Sequence, residues 1–160
     1  EMAEALSVEL SKREEREAKG HADRSALAGI TQGLPEWQRA HKLQKRAASV
    51  GFDWPNVTPV IAKLLEELAE VRAEWAHGVG TDALEDEIGD VLFVAVNLAR
   101  HAKVDAGNAL RRANRKFERR FRAMEALAEA QGLVFAELDL AAQEALWNQV
   151  KRDECAGGMT

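Results

Sequence analysis

Apolar residues recur every three or four positions along most of the chain, which is the period of an amphipathic α-helix. This pattern predicts helices over residues 36–50, 58–77, 82–103, 105–131 and 139–152. Ala, Leu, Glu and Arg predominate, and these residues favour helix. No alternating β-branched run typical of a strand interrupts them. We therefore predict an all-α fold, a helical bundle.

The second and third predicted helices are joined by a glycine turn. Gly78-Val79-Gly80 separates them, and glycine supplies the positive φ with which helices commonly end. The two helices should therefore fold back on each other as an antiparallel hairpin, on which the bundle is built. Its predicted core positions are Val60, Ile61, Leu64, Leu65, Leu68 and Val71 on the first arm, and Leu84, Ile88, Val91, Leu92, Ala95 and Leu98 on the second.

Acidic residues are concentrated on this hairpin. Glu67 and Glu70 are three positions apart on the first arm, as are Glu87 and Asp90 on the second, and such pairs point the same way. In an antiparallel hairpin, Glu67 lies opposite Asp90 and Glu70 lies opposite Glu87, since each pair is equally far from the turn. The spacing predicts that four carboxylates converge, with Glu66 adjoining them.

The balance of charge decides how this acidic cluster is interpreted. A merely solvated helix face usually interleaves Lys or Arg with its acids. Here nine acidic residues and a single base, Arg72, lie between Glu66 and Asp90. Clustered carboxylates repel one another, and a divalent cation removes that repulsion. Oxygen ligands suit a hard ion, so we predict a site for Mg²⁺, with Mn²⁺ as a substitute.

The helix that follows is basic. Seven of the residues between Asp105 and Arg122 are Lys or Arg. The predicted substrate-binding residues on this helix are spaced four apart on one face and are Arg112, Lys116 and Arg120. Asn97, at a half-buried position, needs a polar partner and is predicted to bind a polar group of the substrate. Trp147, which either packs in the core or walls a pocket, is the fifth predicted substrate-binding residue. An acidic cluster and a basic helix together suit a ligand that combines metal and polyphosphate.

Composition limits the number of domains, the kinds of partner and the cellular location that can be expected. A chain of 160 residues, 46% of them hydrophobic, corresponds to one ordinary domain. A formal net charge of −5 disfavours nucleic-acid and membrane partners, and no apolar run reaches the length of a spanning helix. One cysteine, Cys155, and no visible secretory signal favour the cytoplasm. The first residue is Glu rather than Met, which indicates a trimmed chain or a fragment.

The motifs resemble those of a known family. Glu66-Glu67-Leu68-Ala69-Glu70 followed by Glu87-Ile88-Gly89-Asp90 is similar to the EExxE…ExxD signature of MazG-type nucleoside triphosphate pyrophosphohydrolases. Further MazG-like segments, in order, are 41–44, 50–54, 90–93, 96–101 and 113–121. On this basis we expect an N-terminal helix and linker over 1–33, a MazG-like domain over 34–152 and a flexible tail over 153–160.

The resemblance implies an Mg²⁺-dependent all-α hydrolase that forms a tight homodimer and converts nucleoside triphosphates to monophosphates and pyrophosphate. Glu67, Glu70, Glu87 and Asp90 match the family's metal ligands. Lys116, Arg120 and Trp147 match positions linked to nucleotide binding.

Three alternatives stay open on the sequence alone. The first is an all-α pyrophosphohydrolase of narrower specificity, acting on deoxyuridine or phosphoribosyl nucleotides. The second is a non-enzymatic helical module whose acidic face binds a basic partner. The third is a di-iron bundle, for which the chain offers one of the two Glu-x-x-His motifs usually needed, Glu74 to His77.

Overall fold

The structure is a computed structural model that describes residues 23–158 together with Ala5, Val8, Glu9, Lys12 and Arg13. Within those residues it contains α-helices, one 3-10 helix and no strand, which confirms the predicted all-α fold. The helices are α1 (Glu36–Ser49), α2 (Val57–Trp75), α3 (Asp82–His101), α4 (Ala106–Ala130), a 3-10 helix (Phe135–Glu137) and α5 (Leu140–Gly157). The helix expected near the N-terminus falls largely outside the described residues.

Side-chain caps mark the starts of three helices. The Asn56 side chain caps α2 and accepts from the Thr58 backbone N–H at 3.0 Å. This helix begins at Val57, one residue earlier than predicted. Thr81 caps α3, and its side chain accepts from the Leu84 N–H at 3.1 Å. Asp139 does the same for α5. Each cap satisfies a backbone donor that would otherwise lack a partner at the helix start.

Of the helix ends, the one at the hairpin turn agrees with the prediction and the one at the end of the last helix does not. Between α2 and α3 the predicted glycine turn is present, with Gly78 and Gly80 at φ values of +127° and +73°. At the other end of the chain, α5 continues to Gly157, five residues beyond the predicted end at Arg152. Residues 153–157 are therefore helical rather than part of a flexible tail, and 159–160 lie outside the described part of the chain.

The chain divides into two compact units, residues 1–107 and 108–160. In the first unit, α2 packs along α3 as the predicted hairpin, and α1 packs against α3. The apolar side chains buried there are Val60, Leu84, Val94 and Val96. Three polar side chains, Gln44, Glu67 and Asn97, are buried in the same unit. Buried polar groups of this kind need hydrogen-bond partners or a ligand, which makes them the first candidates for function.

Several predicted core positions of the hairpin are exposed instead. Leu65 is 63% exposed, and Ile61, Leu68, Ile88 and Leu92 are also exposed. Two packed helices bury only the stripe along which they touch, so apolar residues on a second stripe stay on the surface. Ile61, Leu65 and Leu68 follow each other at helical spacing and form one such stripe on α2.

The second unit has its own small core. Met124 and Ala128 of α4 pack with Leu146 and Val150 of α5, and Phe135 of the 3-10 helix packs against this cluster. None of the described helices combines the length and the apolar character that crossing a lipid bilayer requires.

Candidate functional site

Three of the predicted acidic residues come together across the hairpin. One carboxylate oxygen each from Glu67, Glu70 and Glu87 lies within 4.8 Å of the other two. The i, i+3 spacing on α2 turns the first two the same way, and the glycine turn brings Glu87 of α3 opposite them. We call these residues the acidic trio.

Among the described residues, the trio has fewer partners than buried carboxylates normally have. Glu67 is only 5% exposed, and Lys63 Nζ meets its Oε1 at 3.0 Å. Its Oε2, and Oε2 of Glu87, are buried and have no hydrogen-bond partner in the described part of the chain. Unpartnered buried oxygens are costly, and here they adjoin further negative charge. The arrangement therefore suits a cation that accepts several oxygen ligands.

The close approach of these side chains shifts the pKa of Glu70. The neighbouring carboxyls of Glu87 and Glu67 raise the pKa of Glu70 to about 7. Two like charges at one site cannot both ionise easily, so one of them retains its proton to a higher pH. The same geometry with a divalent ion would favour three ionised carboxylates. Mg²⁺ and Mn²⁺ both accept such oxygen ligands, so the donor set fits the predicted metal.

Two other predicted acids lie apart from the trio. Glu66 is exposed, and its carboxylate contacts Lys63 Nζ at 3.4 Å. Asp90 is exposed one helical turn after Glu87 and is not among the three that converge. Within the described residues no histidine belongs to this cluster, so the geometry does not favour the di-iron alternative.

Farther along α3, the first unit contains a cavity of about 500 Å³. The corner Phe52-Asp53-Trp54 lines one part of it, and Gln44, Asn97 and Arg100 contribute polar groups. Its volume lies within the range of small-molecule sites in proteins. The predicted residue Asn97 is thus placed at a cavity and not at a solvated surface.

A charged network supports this cavity. Arg100 donates from Nη1 and Nη2 to the two carboxylate oxygens of Asp53, at 3.0 and 2.5 Å. His101 Nε2 lies 3.0 Å from Asp53 Oδ1. The Arg100 guanidinium, helped by His101, lowers the pKa of Asp53 to about 2. Bidentate pairing of this kind fixes geometry as well as charge.

The predicted basic residues lie in the second unit. Lys116 and Arg112 are exposed. Arg120 is mostly buried, with its Cζ 5.4 Å from the centre of the Trp147 ring, a cation–π geometry. Glu154 Oε2 accepts from Arg120 Nε at 2.9 Å, and the neighbouring Arg119 contacts the other oxygen at 3.3 Å. This pairing lowers the pKa of Glu154 below its ordinary value.

Comparison with known proteins bears on this geometry. The protein-family model of the MazG nucleotide pyrophosphohydrolase domain matches residues 56–124 of the sequence. These residues include the acidic trio, Asn97, Lys116 and Arg120. Residues 56–124 form a MazG domain. This confirms the family indicated by the two acidic motifs.

Curated relatives extend the likeness over most of the chain. Nucleoside triphosphate pyrophosphohydrolase of Escherichia coli (strain K12) is 50% identical over 144 residues, which are 89% of this chain and 54% of that protein. Nucleoside triphosphate pyrophosphohydrolase/pyrophosphatase MazG of Thermotoga maritima is 39% identical over 133 residues, 83% of this chain and 51% of that protein. The chain therefore spans about half the length of the curated relatives it matches.

Proposed function

We propose that this chain hydrolyses nucleoside triphosphates to nucleoside monophosphate and pyrophosphate with the help of Mg²⁺. The observation that carries the proposal is the acidic trio, with its unpartnered buried oxygens, inside a MazG domain. The relatives named for this activity support the same reaction class.

In this proposal Glu67, Glu70 and Glu87, joined by Asp90, hold the metal, and Mn²⁺ can replace Mg²⁺. Bound there, Mg²⁺ would supply Lewis-acid stabilisation of the charge on the phosphate oxygens. One glutamate of the trio accepts the proton of the attacking water as general base. The water oxygen forms a bond to phosphorus as a bridging phosphorus–oxygen bond breaks, and pyrophosphate leaves.

In this proposal, basic residues of the second unit bind the phosphates. Arg120, Lys116 and Arg112 hold the negative charge of the triphosphate, with Trp147 beside them. Arg120 is suited to this role because Glu154 accepts from its Nε while no described group bonds its two Nη atoms. The Nη edge of the guanidinium is then available to a phosphate oxygen.

The proposal also includes the oligomeric state and the cellular location of the protein. The apolar stripe of Ile61, Leu65 and Leu68 on α2 is exposed, and an exposed apolar patch marks an interaction surface. We assign it to a homodimer of this chain, located in the cytoplasm where nucleoside triphosphates are abundant. The domain itself is proposed to cover residues 34–152, with the preceding segment as a linker.

The test is the effect of removing single charges from the trio. Glu67→Gln, Glu70→Gln and Asp90→Asn should each lower Mg²⁺-dependent pyrophosphate release from a nucleoside triphosphate by about 100-fold or more, since metal ligands act as a unit. Glu74→Gln makes the same change on the same helix outside the trio and should retain activity. Undiminished release by Glu67→Gln and Glu70→Gln would rule out this site, and a wild-type protein that releases no pyrophosphate would leave the non-enzymatic alternative.

A further inference from the structure

Trp147 and Glu154 lie on one face of α5, because they are almost two helical turns apart. Both contact the same side chain of α4, that of Arg120. The Arg120 Cζ lies over the Trp147 ring, 5.4 Å from its centre, and Arg120 Nε donates to Glu154 Oε2 at 2.9 Å. The guanidinium is therefore held at two points, by an aromatic ring and by a carboxylate.

These contacts restrict Arg120 before any ligand arrives. Its side chain is 18% exposed, compared with 62% for the neighbouring Arg119. Its two Nη atoms accept no hydrogen-bond partner from the described residues and are not among the buried atoms that lack one, so they remain accessible. A long side chain loses conformational entropy when a ligand fixes it, and contacts made in advance reduce that loss. Arg120 thus has a preorganised guanidinium with its Nη edge open.

Glu154 orients Arg120 without cancelling the positive charge of this surface. Its Oε1 accepts from Arg119 Nε at 3.3 Å, so one carboxylate is shared by two arginines. Two positive charges and one negative charge leave a net charge of +1 on the three side chains. The exposed Lys116 adds to this excess. An anionic ligand is attracted by such an excess, which full neutralisation of each arginine would have removed.

We propose that Glu154 is a positioning residue for phosphate binding and that it acts through Arg120. It holds the Nε edge of the guanidinium so that the Nη edge meets a phosphate oxygen, and it does not itself contact the substrate. Glu154 lies beyond residue 152, where the motifs placed the end of the domain. The inference rests on the proposed function, which assigns Arg120 to the triphosphate.

The sign of one charge effect makes this role testable. A carboxylate near a bound anion repels it, so removal of its charge should by itself strengthen anion binding. A positioning role predicts the opposite. Glu154→Gln keeps the size of the side chain but has one acceptor oxygen and no charge for two arginines. It should therefore bind a polyphosphate more weakly than the wild type.

The first experiment measures the binding of inorganic triphosphate, which carries phosphates without base or sugar and requires no turnover. NMR titration that follows the Trp147 indole signal gives the dissociation constant, also where binding is weak. Glu154→Gln should raise this constant about tenfold, the size of effect expected when a charge-assisted hydrogen bond is lost. Glu144→Gln, the same change at an exposed position of α5, should leave it unchanged.

The second experiment separates action through Arg120 from a general structural role. In an Arg120→Gln background, Glu154→Gln should no longer weaken triphosphate binding, because the side chain on which it acts is gone. In an Arg119→Gln background it should still raise the dissociation constant about tenfold, since the contact with Arg120 is intact. A structural role would weaken binding equally in both backgrounds.

A measurement on the unaltered protein keeps the test valid if Glu154→Gln does not fold. The Arg120 Nε hydrogen should exchange with water more slowly than that of Arg112, which is exposed on the same helix. Equally fast exchange at the two arginines would overturn the positioning role.

The outcomes separate this inference from the proposed function. Undiminished triphosphate binding by Glu154→Gln, or equal weakening with and without Arg120, overturns the positioning role while pyrophosphate release by the wild type stands. Weakening that requires Arg120, in a protein that releases no pyrophosphate, supports the positioning role and contradicts the proposed reaction.

Discussion

Two carboxylates of the first unit are in opposite electrostatic situations. Asp53 accepts hydrogen bonds from Arg100, and that partner lowers its pKa to about 2. Glu70 adjoins Glu87 and Glu67, and those neighbours raise its pKa to about 7. The first carboxylate has its counter-charge within the protein. The second has no counter-charge among the residues that the structure describes, and its neighbours add to the same charge.

The difference separates a supporting group from a ligand-binding group. A carboxylate that is fully paired has little left to offer a ligand, and its task is to position others, here Arg100 and through it Asn97. A carboxylate that is destabilised by its neighbours gains from binding a cation. Perturbed pKa values therefore indicate function only when the direction and the cause of the shift are known.

The largest expected effect is competition between protons and metal at the trio. Because Glu70 retains its proton up to about pH 7, Mg²⁺ affinity should rise as the pH rises. We expect an increase of about 100-fold between pH 5 and pH 8, close to the tenfold per unit that one displaced proton gives below its pKa. Calorimetry at several pH values measures it. A pH-independent affinity would show that Glu70 is outside the metal site.

The raised pKa of Glu70 also determines how the stability of the protein depends on pH. The folded-state pKa of Glu70 lies above its ordinary value of 4.5, so its contribution to stability is present at low pH and is lost as the pH rises from about 4.5 through 7. Urea denaturation of the metal-free protein should show this loss. Glu70→Gln should abolish it, while Glu74→Gln, which keeps the trio, should not.

Asp53 should behave in the opposite way. Its folded-state pKa is below 3.8, so its contribution is present at neutral pH and is lost as the pH falls from about 4 to about 2. Asp53→Ala leaves a mostly buried Arg100 without its bidentate partner and should lower the free energy of unfolding at pH 7 by about 2–3 kcal/mol. Asp86→Ala, an exposed acid on α3, is the control and should change it little. Equal effects of the two substitutions would contradict a supporting role for Asp53.

The smallest expected effect concerns Gly89, which lies between Glu87 and Asp90. A Cβ added at this helical position would meet no atom within 4 Å. Gly89→Ala should therefore raise the free energy of unfolding by about 0.5–1 kcal/mol, as glycine-to-alanine changes in helix interiors do. Thermal denaturation measures the gain. A loss of pyrophosphate release despite this gain would show that the space beside the trio is needed by substrate or by a second copy of the chain.

The sequence allowed the hairpin and the trio to be predicted because both depend on local rules. Helical periodicity determined the two arms, the glycine turn determined their antiparallel order, and i, i+3 spacing determined which carboxylates meet. Asp90 did not join the other three because opposite positions in a hairpin define a height along the helices but not the direction of each side chain.

The cavity network could not be predicted in the same way. Asp53 and Arg100 are 47 positions apart, and Gln44 and Phe93 are 49 apart. No spacing rule within one helix relates such residues, and only the packing of α1 and of the Asp53 corner against α3 brings them together. The exposed apolar stripe on α2 was assigned to the core for a related reason, since periodicity identifies apolar faces without showing what covers them.

The length of α5 has a practical consequence for work on this protein. Every segment that resembles the family ends by Arg152, so a shortened chain designed from those motifs would end there and appear complete. It would lack Glu154, whose carboxylate holds Arg120 beside Trp147. Such a truncated chain would contain every residue of the signature and yet leave the Arg120 guanidinium unsupported. On the proposed role of Arg120, kinetic data from it would underestimate substrate affinity.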